Sequence, residues 1–209
     1  AALGEPHRLA VVDELALADR SSSELASLLG IDSNLVAHHL NILEGAGLLE
    51  RVHSQGDGRR RYWRLVSTPL AGLLPGPRLK VKRIVFVCTE NAARSQLAQA
   101  IWNHGQVIEA TSGGLQPAAR VYPEAVCAAR RRGLDLGRAT PRPVPRLRSS
   151  DLVITVCDRA HEQLRARVGI RQLHWSVPDP AAIDDPDAYD AAGETLAERI
   201  AALAPRVER

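Results

Sequence analysis

The stretch RIVFVCTENAARSQLAQAIW, residues 83–102, decides how the chain is read. Arg83 to Val87 is an apolar, β-branched run of the kind that forms a strand covered on both faces, and the residues from Ser95 to Trp102 continue as a helix. Between them lies Cys88-Thr89-Glu90-Asn91-Ala92-Ala93-Arg94-Ser95, a Cys-x5-Arg-Ser pattern. A loop joining a strand end to a helix N-terminus turns backbone N–H groups inward, and the helix dipole adds positive potential, so a tetrahedral oxyanion sits there readily. The same field favours a thiolate, which makes Cys88 the expected nucleophile. Arg94 can fold back over the loop as a two-toothed donor to two oxygens. Thr89, Glu90, Asn91, Ala92, Ala93, Arg94 and Ser95 are the expected oxyanion-binding residues.

Two distant segments complete this picture. After the strand-like run Arg171 to Trp175 comes Ser176-Val177-Pro178-Asp179-Pro180, where two prolines stiffen a loop at the carboxyl end of the sheet. Asp179 is the expected general acid. A further run, Asp151 to Val156, ends at Cys157, and if parallel strands align their ends this sulfur comes within reach of Cys88. Short β-branched runs alternating with helical segments predict an α/β domain with a central parallel sheet flanked by helices.

Upstream the pattern changes. Ser67-Thr68-Pro69 and Leu74-Pro75-Gly76-Pro77 break any regular element, so the expected organisation is a first domain over 1–67, a linker over 68–82 and a second domain over 83–209. In the first domain Leu9, Val12 and Leu15 or Ala16 recur at helical spacing in a helix closing near Asp19. Ser21, Ser22 and Ser23 offer caps for a helix from Glu24 to Leu29, with Gly30 as its stop. A third helix begins near Ser33. Its seam is Val36, Leu40 and Leu43, which leaves Asn34, Ala37, His38 and Asn41 on the opposite face. Residues 48–65 then read as a hairpin, with arms Leu48 to Val52 and Arg61 to Leu65 around a glycine-rich bend.

Bulk properties narrow the field. An apolar share of 45% and a charged share of 24% are ordinary for a globular chain. No apolar run reaches the roughly 20 residues a bilayer needs, and the opening AALGEPHRLA lacks the layout of an export signal, so a cytoplasmic location without membrane contact is expected. Three widely spaced cysteines suit reduced thiols rather than a disulfide scaffold. The net charge of +3 is uneven, with Arg59, Arg60, Arg61 and Arg64 in one basic cluster and Arg78, Lys80, Lys82 and Arg83 in another. His38, His39 and His174 are not spaced as a metal site; neither a metal nor a bound cofactor is expected.

Residues 5–66 resemble the winged helix-turn-helix of the ArsR family of bacterial repressors, above all in LVAHHLNILEGAGLLERV and the wing ending RRRYWRL. The resemblance implies that Ser33, Asn34, Ala37, His38 and Asn41 approach bases of double-stranded DNA while Arg59, Arg60 and Arg61 hold phosphates. With no Lys or Arg on the recognition helix, the grip must come from the wing and from pairing two copies, so a homodimer is expected. Metalloid sensors of that family often carry a cysteine pair on the helix written here SSSELASLLG; its absence closes that route to arsenite sensing.

From residue 83 to about 205 the chain resembles the low-molecular-weight protein tyrosine phosphatases, and more closely their thiol-coupled arsenate reductases, through VCTENAARSQLAQA, TVCD and HWSVPDPA. The resemblance implies a transcriptional regulator fused to an arsenate reductase serving arsenical resistance. Cys88 attacks the anion, Arg94 and the loop backbone stabilise it, Ser95 supports the thiolate, Asn91 shapes the loop, and Asp179 protonates the leaving oxygen. Cys157 matches the first resolving cysteine of these reductases, whereas the second is replaced by Leu164. Either a Cys88–Cys157 disulfide is then reduced from outside by a redoxin, or a small thiol such as mycothiol or glutathione takes the arsenic from Cys88 directly. Glu90 departs from a frequent glycine, and its carboxylate, if turned inward, would oppose the Cys88 thiolate. Neither Glu90 to Ala93 nor Pro180 to Ile183 offers an aromatic side chain to stack a phenyl ring, and Cys157 has an obvious task only in a redox cycle, which favours arsenate over phosphotyrosine. A phosphatase is the second reading. The third is a sensor that binds an oxyanion or thiol and modulates DNA affinity without turnover.

Overall fold

The structure is a computed structural model that describes residues 2–66, 78–164 and 170–209. These residues cluster into two compact units, one built from the N-terminal helices and hairpin arms and the other from Arg78 to Arg209 together with the hairpin tip Gln55–Asp57.

In the first unit, α1 (Pro6–Leu15), α2 (Ser22–Leu29) and α3 (Ser33–Gly45) precede the antiparallel strands β1 (Leu49–His53) and β2 (Arg61–Leu65). Helix α2 starts with a reciprocal cap, in which the Ser21 hydroxyl accepts from the Glu24 amide and the Glu24 carboxylate accepts from the Ser21 amide. It stops at Gly30, whose φ of 65° suits a residue without a side chain. Asp32 caps α3. Val11, Val12, Leu15, Leu25, Val36, Leu40, Leu43, Leu49 and Trp63 form the core. Two expectations for α1 are corrected. The helix closes at Leu15 rather than near Asp19, and Leu9 is exposed because the buried stripe runs through Val11, Val12 and Leu15. Asp19 is fully buried, paired with Arg64 at 3.1 Å, so Arg64 braces the fold instead of adding to a free basic cluster.

In the second unit a four-stranded parallel sheet has the order β5-β4-β6-β7, with β4 (Arg83–Cys88), β5 (Ala110–Gly114), β6 (Asp151–Thr155) and β7 (Arg171–His174). The residues of β4 from Ile84 to Val87 and those of β6 from Leu152 to Ile154 are fully buried, which explains their unbroken apolar runs. The helices are α4 (Arg94–Gly105), α5 (Pro123–Arg131), α6 (Asp158–Gln163) and α7 (Ala188–Leu203). The chain's single phenylalanine, Phe86, sits between two tryptophans, with ring centroids 6.3 Å from Trp102 and 5.9 Å from Trp175. Within the span expected to be linker, residues 68–77 lie outside the described residues. Leu79–Lys80, however, forms strand β3, which pairs in parallel with β8 (Val207–Glu208) and buries Leu79 against the domain.

Candidate active site

Parallel pairing sets the ends of three strands side by side. Cys88 ends β4 opposite Gly114 of β5, and on the other flank Val87 pairs with Thr155, two residues before Cys157. The loop from Thr89 to Ala93 leaves this edge and enters α4 at Arg94. The carbonyls of Cys88, Thr89, Glu90 and Ala92 accept from the amides of Leu115, Gln116, Ala118 and Tyr122. With its carbonyls held outward by that segment, the loop presents its amides to the concave side, and the Asn91 amide donates to the Cys88 sulfur at 3.1 Å.

Asn91 makes this turn possible. Its φ of 54° is the one positive value at a non-glycine position among the described residues. The side chain is fully buried and satisfied: Nδ2 donates to Ser95 Oγ at 2.8 Å and to Ser112 Oγ at 2.9 Å. Its Oδ1 accepts from Gln96 Nε2 and from the Arg142 amide, each at 3.0 Å. Beneath the loop Gly114 allows a close approach, since a Cβ there would lie 2.8 Å from the Thr89 carbonyl oxygen and 3.0 Å from the Asn91 nitrogen.

The chemistry-bearing groups converge on one pocket lined by Cys88, Arg94, Cys157 and Asp179, with Thr89, Glu90, Ala92 and Ala93 forming its loop wall. The Cys88 sulfur lies 2.9 Å from Ser95 Oγ. Arg94 donates from Nη1 to the Val177 carbonyl at 3.0 Å, and its Nη2 lies 2.8 Å from Asp179 Oδ2. Cys157 caps α6 and contacts Thr89 Oγ1 at 3.4 Å. Burial pushes the Cys157 thiol up from its ordinary value, opposed by the Arg94 charge. Of the expected oxyanion-binding set, Asn91 and Ser95 do not line the pocket; both are fully buried below it as supports.

The Glu90 carboxylate accepts from the Tyr122 hydroxyl at 2.5 Å, a bond that pushes the phenol up to about 12. Tyr122 lines the pocket, so the expectation of a rim without aromatics is corrected. It comes from the start of α5, too far along the chain for local reading to place. Asp158 also lines the pocket and was not foreseen. It pairs with the fully buried His174 at 3.0 Å, and His174 Nδ1 lies 3.0 Å from Thr155 Oγ1. Burial opposes the Asp158 charge, yet the hydrogen bond to His174 holds its carboxyl below the ordinary value.

In the first unit Ser33, Asn34, Ala37, His38 and Asn41 are all exposed along α3, as are Arg59, Arg60 and Arg61 beside β2. Asn41 Oδ1 is engaged by Arg51 at 3.2 Å, so its carboxamide is partly committed within the unit. Among the described residues no helix is long and apolar enough to cross a membrane.

Comparison with known proteins agrees with this architecture. Residues 83–209 match the family described as low molecular weight phosphotyrosine protein phosphatase, and residues 3–52 match a helix-turn-helix domain. A protein named arsenate reductase 2 from Staphylococcus haemolyticus is 34% identical over 106 residues, spanning 48% of this chain and 79% of its own length. An arsenate reductase from Halalkalibacterium halodurans is 33% identical over 112 residues, spanning 51% of this chain and 79% of its own. The crystal structure of an arsenate reductase from Archaeoglobus fulgidus superposes with a TM-score of 0.52 at 28% identity, covering 58% of this chain and 98% of that one. An arginine phosphatase from Geobacillus stearothermophilus shares the fold, with a TM-score of 0.52 at 20% identity, covering 59% of this chain and 91% of its own. The chain belongs to the low molecular weight phosphotyrosine protein phosphatase family and carries a helix-turn-helix domain ahead of it.

Proposed function

We propose that the domain over 83–209 reduces arsenate at the expense of an external thiol, and that the winged domain over 1–67 binds double-stranded DNA as a homodimer in the cytoplasm. The observation that carries the first part is a second thiol, Cys157, lining the same pocket as Cys88. In a reduction cycle a second thiol there can take up the oxidised sulfur as a disulfide, whereas ester hydrolysis needs only one. The relatives named arsenate reductases support the same reading.

In the proposed cycle the Cys88 thiolate attacks arsenic in the bound anion. Loop amides and Arg94 carry the oxygen charge, and Asp179 gives a proton to the oxygen that departs as water. A thiol then attacks the Cys88 sulfur, the S–As bond breaks, and its electron pair passes to arsenic, which leaves as arsenite. Two thiols are oxidised to one disulfide for each arsenate reduced. Burial raises the Cys157 thiol above its ordinary value, which disfavours its thiolate. Leu164 stands where a second resolving cysteine would continue the relay, so mycothiol, glutathione or a redoxin must complete the cycle.

Tyr122 at the pocket rim favours a second reading, a phosphatase that packs an aryl leaving group against that ring. Purified protein assayed side by side with arsenate plus each thiol and with an aryl phosphate separates the two. Arsenite release is expected, abolished in Cys88→Ser. In Cys157→Ser it is expected to fail with thioredoxin and to persist with a small thiol. Aryl phosphate hydrolysis without arsenite formation would establish the second reading instead.

A further inference from the structure

The helix-turn-helix unit holds a cluster that neither the active-site chemistry nor DNA binding uses. Glu5, the N-cap of α1, lies with one carboxylate oxygen 2.7 Å from His7 Nδ1 and the other 3.7 Å from Nε2 of His39 on α3. Ligand atoms of all three residues lie within 4.8 Å of one another. The rings of His7 and His39 stack at 5.7 Å with an interplanar angle of 14°. His39 is only 4% exposed, and neither ring nitrogen has a hydrogen-bond partner. A buried imidazole without partners is costly unless something satisfies it.

We propose that Glu5, His7 and His39 form a binding site for a divalent transition metal of the zinc class, tying the first turn of α1 to helix α3. The donor set of two imidazoles and one carboxylate, without a thiolate, suits a borderline cation, and three protein ligands leave a fourth position for water. At bond lengths of about 2.0–2.1 Å, tetrahedral donors stand about 3.4 Å apart. The 3.7 Å gap between Glu5 and His39 is already close to this. His7 must swing out of its 2.7 Å hydrogen bond, and its side chain, 45% exposed, has room to do so. The second Glu5 oxygen is steadied by the Arg8 amide at 2.9 Å, the kind of outer hydrogen bond that orients a metal ligand. Glu5 and His7 lie at the start of α1 and His39 lies on α3, so no short spacing in the sequence marks the set.

The test is titration of the metal-free full chain with Zn2+ by calorimetry and with Co2+ by visible absorption. The expected result is Co2+ d–d bands without a sulfur-to-cobalt charge-transfer band, and a Zn2+ dissociation constant raised at least tenfold in both Glu5→Gln and His7→Ala. These two positions are part-exposed, so their variants should fold, and circular dichroism checks that. His39→Gln is expected to abolish binding; if it fails to fold, the two part-exposed variants decide alone. No binding, binding unchanged in Glu5→Gln and His7→Ala, or only a thiolate charge-transfer band would overturn the site.

Discussion

Arg94 and Asp179 are joined across the pocket, with Nη2 2.8 Å from Oδ2, so the group proposed to hold the oxyanion is held by the group proposed to protonate it. An arriving anion must compete with that carboxylate for the guanidinium, and the competition frees Asp179 for proton transfer.

Asp179→Asn should therefore separate binding from turnover. Asp179 is 41% exposed, and such pairs contribute at most about 1 kcal/mol, so inhibition by phosphate should tighten by roughly two- to fivefold. Turnover should fall by about a hundredfold or more through loss of the acid. Steady-state kinetics with phosphate as inhibitor read both; an unchanged kcat would remove Asp179 from the proton step.

Asn91→Ala should damage the loop twice, by straining a φ of 54° and by stripping four hydrogen bonds from a buried position. We expect a loss of about 2–4 kcal/mol in urea unfolding and near-complete loss of activity. Asn91→Gly, which relieves the strain alone, should recover part of the stability and little of the activity.

Gly114→Ala places a methyl against the backbone of Thr89 to Asn91, where nothing flexible can give way. Activity should drop by at least tenfold while Gly133→Ala, in open space though at positive φ, costs stability only. Equal activity in both variants would show that the loop tolerates displacement.

Asp158 gives a pH dependence. Its folded-state carboxyl is held below the ordinary value of 3.8, so its stabilisation is present above that value and is lost as pH falls through the folded value. Asp158→Asn should be less stable than wild type at neutral pH, and the gap should narrow as unfolding is followed below pH 3.8. A gap that stays constant into acid would mean that the carboxylate charge contributes nothing.

Replacing Arg59, Arg60 and Arg61 by Ala should weaken DNA binding across all sequences and flatten its salt dependence by about one unit of slope for each phosphate no longer neutralised. Electrophoretic mobility shifts at several salt concentrations check this, and an unchanged slope would remove the wing from the interface.

The loop from Cys88 to Ser95 was legible because strand, anion loop and helix are consecutive, so one local pattern carries the sheet edge, the sulfur and the guanidinium together. The place of Asp179 at the pocket was legible from the prolines around it. Tyr122 and Asp158 were not, because they reach the pocket through packing of α5 and α6, which no short spacing encodes. A sign of the close approach at Gly114 was nevertheless present: paired glycines at a strand end mark a place where another backbone comes near. In the first unit helical periodicity gave the elements but misassigned Leu9, because Val11 next to Val12 admits a stripe rotated toward the other side of α1.

The short β3–β8 ladder has a consequence for how this enzyme module travels in evolution. Leu79 and Lys80 lie beside Val207 and Glu208, so the segments on either side of the sheet meet at a common corner, like a clasp. A unit closed in this way can be joined behind another segment without opening its sheet.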